Sequence, residues 1–317
     1  MARSEFSQFK GLRTALKRID KSHWLAVVQA LLVTVLWSSS WVIIKYGLRE
    51  IPPMIFAGLR YSIASLMLLS VILVTPDQRR ALKGLSITWW KRLVTYGILF
   101  YAVTQGVQFI GLALLPAITV SLLLNLTTVF VVIFAIHFLR EIPNKKQLFL
   151  IGVAMLGVYV YFYPLTLSES SGLGILIVFL GVIANALSSI LGRAINKPQE
   201  LAPSLVTTIS MGIGSLALLG SGLIWDGLPS LTRLGLFYVL WLSILNTAVA
   251  FTLWNKAMQR LHAIEITIIN STMLPQITIL ALVFLGELPT FLDWLGIFLI
   301  FISALLVQLF RVRSNNE

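Results

Sequence analysis

The chain has 317 residues, of which 58% are apolar and only 11% charged. With its 21 glycines the apolar share is roughly 65%, against about 45–50% for a soluble domain. Twenty-four Lys and Arg with 12 Asp and Glu cannot clothe a water-facing surface of this size, so a soluble enzyme and a disordered chain are both excluded. The absence of cysteine removes disulfide scaffolds, thiolate metal sites, iron–sulfur clusters and Cys nucleophiles, and His23, His137 and His262 are too scattered for a metal motif. A net charge of +12 invites a nucleic-acid reading until its distribution along the chain is examined.

A bilayer core of about 30 Å needs about 20 mainly apolar residues per helix. Ten such runs are predicted: 24–46, 53–74, 93–114, 116–139, 147–163, 173–195, 202–224, 234–257, 264–285 and 291–310. Breaks between them carry Pro52-Pro53, Thr75-Pro76-Asp77, Pro116, Pro143-Asn144, Pro164, Lys197-Pro198, Pro229 and Pro289. No run alternates polar and apolar residues as barrel strands do, so the spans are helices whose backbone satisfies itself. Residues 1–23 have no apolar core of a signal peptide. Phe6, Phe9, Leu12, Leu16 and Ile19 recur at helical spacing among basic residues, as in an amphipathic helix on the inner leaflet, with a frayed basic tail as the alternative.

With the N-terminus in the cytoplasm, 20 of the 24 Lys and Arg residues fall on the cytoplasmic side. The other side holds Lys45, Arg49 and Arg233, and Arg60 lies within a span. This positive-inside asymmetry predicts an inner-membrane protein with both termini cytoplasmic, and it accounts for the charge without nucleic acid. Trp24, Trp89, Trp90, Trp225 and Trp294 fall at span ends, as an aromatic belt requires.

The halves resemble each other. Phe138-Leu-Arg-Glu141-Ile-Pro143 matches Phe284-Leu-Gly-Glu287-Leu-Pro289 at an offset of 146 residues. Gln147 then stands opposite Asp293 and Gly157 opposite Ser303. Five spans per half is odd, so the second copy enters the membrane upside down. Inverted repeats are common in secondary transporters, with the solute site near the midplane between halves. The expected fold is an all-α membrane protein of ten helices in two inverted five-helix repeats. Its boundaries are a basic segment 1–23, repeats 24–164 and 165–310, and a tail 311–317.

The chain resembles the drug/metabolite transporter superfamily, in its ten-helix branch with two EamA repeats. The resemblance spans residues 24–310 and is carried by order and spacing rather than by one motif. Its parts are Leu36-Trp37-Ser38-Ser39-Ser40-Trp41 with Lys45 in the first run, and Pro53 to Arg60 in the second. They continue with the paired Phe-Leu-x-Glu-x-Pro corners, Ala250-Phe-x-Leu-Trp254-Asn-Lys-Ala, and Ile-x-Asn270-Ser-x-x-Leu274-Pro275. Val129 stands where the family often has a second proline, so the fourth helix is expected to be straighter than the ninth. The resemblance implies alternating-access export or exchange of small metabolites, amino acids among them.

At about 1.5 Å per residue, Asn125, Thr127 and Thr128 lie near mid-depth in the fourth run and Asn270, Ser271 and Thr272 in the ninth. Asn185, Ser188 and Ser189 do so in the sixth, Asn246 in the eighth, and Tyr101 and Gln105 in the third. Ser39 and Ser40 sit somewhat outside it, between Trp37 and Trp41. Polar residues in a span face the bundle interior or a cavity. The candidate substrate-binding residues are therefore Trp37, Ser39, Ser40, Arg60, Tyr101, Gln105, Asn125, Thr128, Asn185, Ser188, Asn246, Asn270 and Ser271. For each polar one the alternative is plain interhelical hydrogen bonding, worth about 0.6 kcal/mol.

Arg60 lies about two turns into its span, where a bare charge costs about 2.5–3.5 kcal/mol. It is read either as a ligand for a substrate carboxylate or as a cap or snorkelling cation. Snorkelling is the reading for Lys45, and Glu141 and Glu287 are read as corner residues that satisfy backbone or pair with cations. Glu265 opens the ninth run, where a carboxylate complements the helix dipole. No Asp or Glu lies in the middle third of any span, which argues against a shared proton and cation carboxylate. Phosphate-loop, dinucleotide and paired-carboxylate motifs are absent, so no cofactor and no enzymatic activity is expected. The expected partners are a small-molecule metabolite and membrane lipids, with no nucleic acid; monomer and homodimer both stay open. Drug or cation efflux and lipid-headgroup translocation are the alternative functions.

Overall fold

The computed structural model describes residues 21–139, 145–163, 169–196, 200–258, 260–261 and 263–314. The N-terminal amphipathic segment up to residue 20, the C-terminal tail from 315, Glu141 and His262 lie outside them, as does the side chain of His137. The described residues are nearly all helical and contain no strand.

The helices follow the predicted runs: α1 (Lys21–Gly47), α2 (Pro53–Val74), α3 (Ile87–Leu114), α4 (Ala117–Asn125 continued by Thr127–Leu139) and α5 (Lys145–Tyr161). The second half holds α6 (Glu169–Asn196), α7 (Pro203–Asp226), α8 (Arg233–Met258), α9 (Ala263–Ser271 continued by Met273–Leu285) and α10 (Phe291–Ser314). Among the described residues eight helices are long and apolar enough to cross a membrane, and shorter apolar helices occupy 148–161 and 291–306.

Two features differ from the expectation. First, Pro76–Lys83 forms a short surface helix where a loop was expected, with proline in its first turn. Second, α3 begins at Ile87 rather than residue 93, because Ser86 caps it by accepting a hydrogen bond from Trp89 N.

The two halves are related in packing as well as in sequence. α2 packs on α7 and α5 on α10, each a pair of repeat mates. The α1–α9 and α1–α8 contacts, which join the halves, are answered by their repeat equivalents α6–α4 and α6–α3. α3 contains a π-helical stretch at Gly97–Thr104 and α8 one at Ile244–Val249, nearly the same place at the 146-residue offset. In both a threonine feeds the carbonyl five residues back: Thr104 to Leu99 and Thr247 to Leu242.

The expectation of a straighter α4 does not hold. α4 breaks at Leu126 and α9 at Thr272, which are repeat mates. Their backbone angles agree closely, φ −62° and ψ −14° against φ −68° and ψ −12°. Leu126 N bonds Leu123 O and Thr272 N bonds Ile269 O, tightening each turn before the break. Pro275 falls in the first turn of the second half-helix, where an N–H has no helical partner anyway. Proline therefore accommodates the break, and α4 makes it without one.

The side-chain distribution is that of a protein solvated by lipid. Leu66, Val71, Leu176, Leu180, Leu216 and Val283 face outward, while Thr34, Ser38, Ser210, Ser215, Ser243, Thr278 and Ser303 are fully buried. Apolar residues gain nothing by leaving lipid, so close contact and hydrogen bonding between helices hold the bundle together. Glycine permits the closest approaches. A Cβ on Gly214 would lie 2.3 Å from Gly97 O, and one on Gly296 2.7 Å from Gly157 O. Gly214→Val should therefore destabilise the fold by about 1–3 kcal/mol, read as a lower unfolding temperature in detergent. Gly220→Ala, whose added Cβ meets nothing within 4 Å, should leave that temperature unchanged.

Candidate functional site

Two adjoining cavities lie among α1, α2, α3, α4, α6, α8 and α9. One, of about 280 Å³, is aromatic: Trp37, Trp41, Tyr61, Phe100, Tyr101 and Phe251 wall it, with Ser40, Arg60 and Gln105 among them. The other, of about 490 Å³, is polar: Ser121, Asn125, Thr127, Thr128, Asn185, Ser189 and Asn270 line it. Trp41, Gln108 and Met273 belong to both. The larger cavity lies within the range of small-molecule sites, about 300–1,000 Å³, and the smaller just below it.

The helix breaks position much of the polar cavity. Asn125 ends the first half of α4, and Thr127 and Thr128 open the second. Asn270 lies one residue from the end of the first half of α9, and Met273 opens the second. Asn125 Nδ2 donates to Ser121 O at 2.8 Å, and Asn185 Nδ2 to Thr127 Oγ1 at 3.1 Å. Asn270 is exposed to the cavity and finds no protein partner among the described residues, and neither does Gln108. Two carboxamides, each able to donate and accept, are thus unpaired in the cavities.

The aromatic cavity is built on the π stretch of α3, which carries Tyr101, and on α1. Trp37 packs on Phe251 and Trp254 at ring distances of 5.5 and 5.1 Å. Tyr61 donates its hydroxyl to Gln105 Oε1 at 2.7 Å and meets Tyr101 edge-on. Arg60 is 5% exposed. Its Nε donates to Thr247 Oγ1 at 3.0 Å, and its guanidinium carbon lies 5.1 Å from the Tyr61 ring centre. Thr247 can accept because its own proton goes to Leu242 O.

Of the sequence-derived candidates, Trp37, Ser40, Arg60, Tyr101 and Gln105 come together in the aromatic cavity. Asn125, Thr128, Asn185 and Asn270 come together in the polar one. Ser39, Ser188, Asn246 and Ser271 line neither. Asn246 Nδ2 donates to Leu36 O and, at 3.1 Å, to Ser39 Oγ, tying α8 to α1. Ser188 Oγ donates to Asn185 O at 2.8 Å. Sequence reading missed Tyr61, Phe100, Gln108, Phe251 and Met273. Gln108 had a usable signal, being one turn from Gln105 on the same face of α3.

One end of the bundle is tied together by hydrogen bonds between its corners. Glu287 accepts from Ala117 N at 2.6 Å and Ile118 N at 2.9 Å, capping α4 behind Pro116. Lys45 does not snorkel: its Nζ donates to Leu115 O at 2.7 Å. Tyr46 OH donates to Phe284 O. Near the opposite end His23 Nε2 meets Glu265 Oε1 at 2.9 Å. Gln276 links α9 to α1: it accepts from Ser38 and donates to Thr34 and Thr272.

The EamA-like transporter family model matches residues 24–163 and 172–309. The chain belongs to this family. It is 26% identical over 302 residues to a protein of Escherichia coli named "Probable amino-acid metabolite efflux pump", a match covering 90% of this chain and 95% of that one. It is 27% identical over 306 residues to the protein of the same name from Salmonella typhimurium, with the same coverage. A crystal structure of a protein 17% identical superposes with a TM-score of 0.61 over 92% of this chain and 99% of that one. The chain is thus a multi-pass membrane transporter of the EamA type, built from an EamA repeat pair.

The corner formed by Glu287 is testable through stability. Glu287→Ala leaves two backbone donors without partners and should cost about 1–3 kcal/mol. Glu287→Gln, which keeps one acceptor, should cost less. Thermal unfolding of the purified full chain measures both.

Proposed function

We propose that the protein is a secondary transporter of the inner membrane that exports amino acids or related amphipathic solutes by alternating access through the two joined cavities. The carrying observation is the pairing of a polar compartment holding unpaired carboxamides with an aromatic compartment on the same path. An amphipathic solute places its polar groups along Arg60, Gln108 and Asn270 and its apolar part against Trp37, Trp41 and Phe251. The efflux-pump names of the two enterobacterial relatives support the amino-acid reading. None of the described residues lining either cavity is acidic, which disfavours a lipophilic cation as the cargo.

In this reading the chain crosses the membrane ten times in two inverted repeats, with both termini cytoplasmic, as the Lys and Arg distribution supports. The hydrogen-bonded end, where Lys45, Tyr46 and Glu287 tie the α3–α4 and α9–α10 corners, is then external and closed. Export requires those contacts to open in turn with the opposite end.

Transport is tested by loading cells with labelled amino acids and profiling the medium. Gln108→Ala/Asn270→Ala, made in wild-type amounts, should lower efflux of the exported solutes at least tenfold. Unchanged efflux would move the solute away from these cavities. Because the chain has no cysteine, Asn270→Cys gives a single labelling site. Membrane-impermeant maleimide should label it in inside-out vesicles and spare it in intact cells. Adding Lys45→Ala and Glu287→Ala should raise labelling from outside.

A further inference from the structure

We propose that Arg60 is the binding group for a substrate carboxylate, and that the cavities take apolar or aromatic organic acids whether or not these carry an ammonium group. This rests on the transport reading above and narrows its substrate class.

The geometry leaves one edge of the guanidinium free. Nε is committed to Thr247 Oγ1 at 3.0 Å. The two terminal nitrogens have no hydrogen-bond partner among the described residues, and no carboxylate among them pairs with Arg60. Arg60 nevertheless lines the aromatic cavity. A guanidinium cannot shed its charge as a buried lysine can. It therefore sits in the membrane as a cation with donors turned to the cavity and no resident counter-ion. A carboxylate fits that edge with two parallel hydrogen bonds. One guanidinium balances one negative charge, which favours a monocarboxylate over a phosphate dianion.

The walls specify the rest of the solute. The Tyr61 ring lies 5.1 Å from the guanidinium carbon and the Phe109 ring 6.0 Å, so the cation rests against two aromatic rings. A bare inorganic anion would leave Trp37, Trp41 and Phe251 unfilled. An α-ammonium would look for a carboxylate, and the described lining residues offer only neutral amides and hydroxyls. The ammonium is tolerated, and the carboxylate decides.

Calorimetric binding to the full chain in lipid nanodiscs tests this with four probes: 3-phenylpropionate, phenylalanine, phenethylamine and neutral 3-phenylpropionamide. The wild type should bind the first two within about threefold of each other and phenethylamine at least tenfold more weakly. Arg60→Gln should weaken 3-phenylpropionate at least tenfold while leaving the neutral amide unchanged, which also shows that the variant is folded. Arg60→Lys should fall between. The proposal is overturned by wild-type affinity of Arg60→Gln for the acid, by equal binding of amine and acid, or by failure of the wild type to bind either carboxylate. The cell efflux assay separates this from the parent reading. Export that survives Arg60→Gln but not Gln108→Ala/Asn270→Ala removes the Arg60 assignment and leaves transport standing. A wild type that exports nothing removes transport itself.

Discussion

A polar group in hydrocarbon has no water to fall back on, and this constraint organises the molecule. The helices pair every interior amide along their own axes, and buried hydroxyls reach back three to five residues for a carbonyl, as Ser40, Ser215, Ser243, Thr247 and Thr278 do. Longer polar side chains cross between helices, as Gln276 does to Thr34 and Ser38. Against that background the unpaired groups stand out. The carboxamides of Gln108 and Asn270 and the outer edge of Arg60 all meet the cavities. Among the described residues Asn246 Oδ1 and Ser62 Oγ are the counter-examples, buried outside these two cavities without a partner. The amide nitrogen of Asn246 is used between α1 and α8.

Repeat symmetry decides where the backbone departs from regular helix, and chemistry then breaks the symmetry. The breaks at Leu126 and Thr272 and the two π stretches fall on repeat mates, although the residues differ. At the α9–α1 junction Gln276 makes three polar contacts; its mate Phe130, at the α4–α6 junction, stacks edge-on against Phe179 at 5.4 Å. Likewise Asn270 answers Leu124 rather than an asparagine. One backbone plan thus carries two differently furnished halves, which is what a site for an asymmetric solute needs.

The spans were legible because length and hydropathy are set by the bilayer, and the repeat because its corners kept the Phe-Leu-x-Glu-x-Pro pattern. Depth along a helix was legible too, which is why Asn125, Asn185 and Asn270 were found. Rotation about the axis was not. In a soluble helix the apolar stripe marks the inner face, but here both faces are apolar, so Ser39 and Asn246 could not be told from Ser40 and Gln105. The first pair bond each other; the second meet the cavity. The π stretches left no trace in the residue pattern. Pro76 read as punctuation although it opens a helix, since a proline suits both. Depth along the helix reads Lys45 as a snorkelling cation, and only the fold brings it to the Leu115 carbonyl.

The breaks also join the ends of the bundle to its middle. The first half of α4, nine residues long, starts at the amides held by Glu287 and ends at Asn125. The first half of α9 starts beside Glu265, which meets His23, and ends at Ser271, next to Asn270. Each half-helix is a stiff rod of two to three turns with an end contact at one tip and a cavity residue at the other. In the alternating-access cycle proposed above, a tilt that releases Glu287 from Ala117 and Ile118 would pivot at Leu126 and swing Asn125 relative to Thr127. Opening at the membrane surface and rearrangement at mid-depth are then one motion of one rod. The break lies at the repeat-related residue in both halves, so the proposed cycle would have an equivalent pivot for either end.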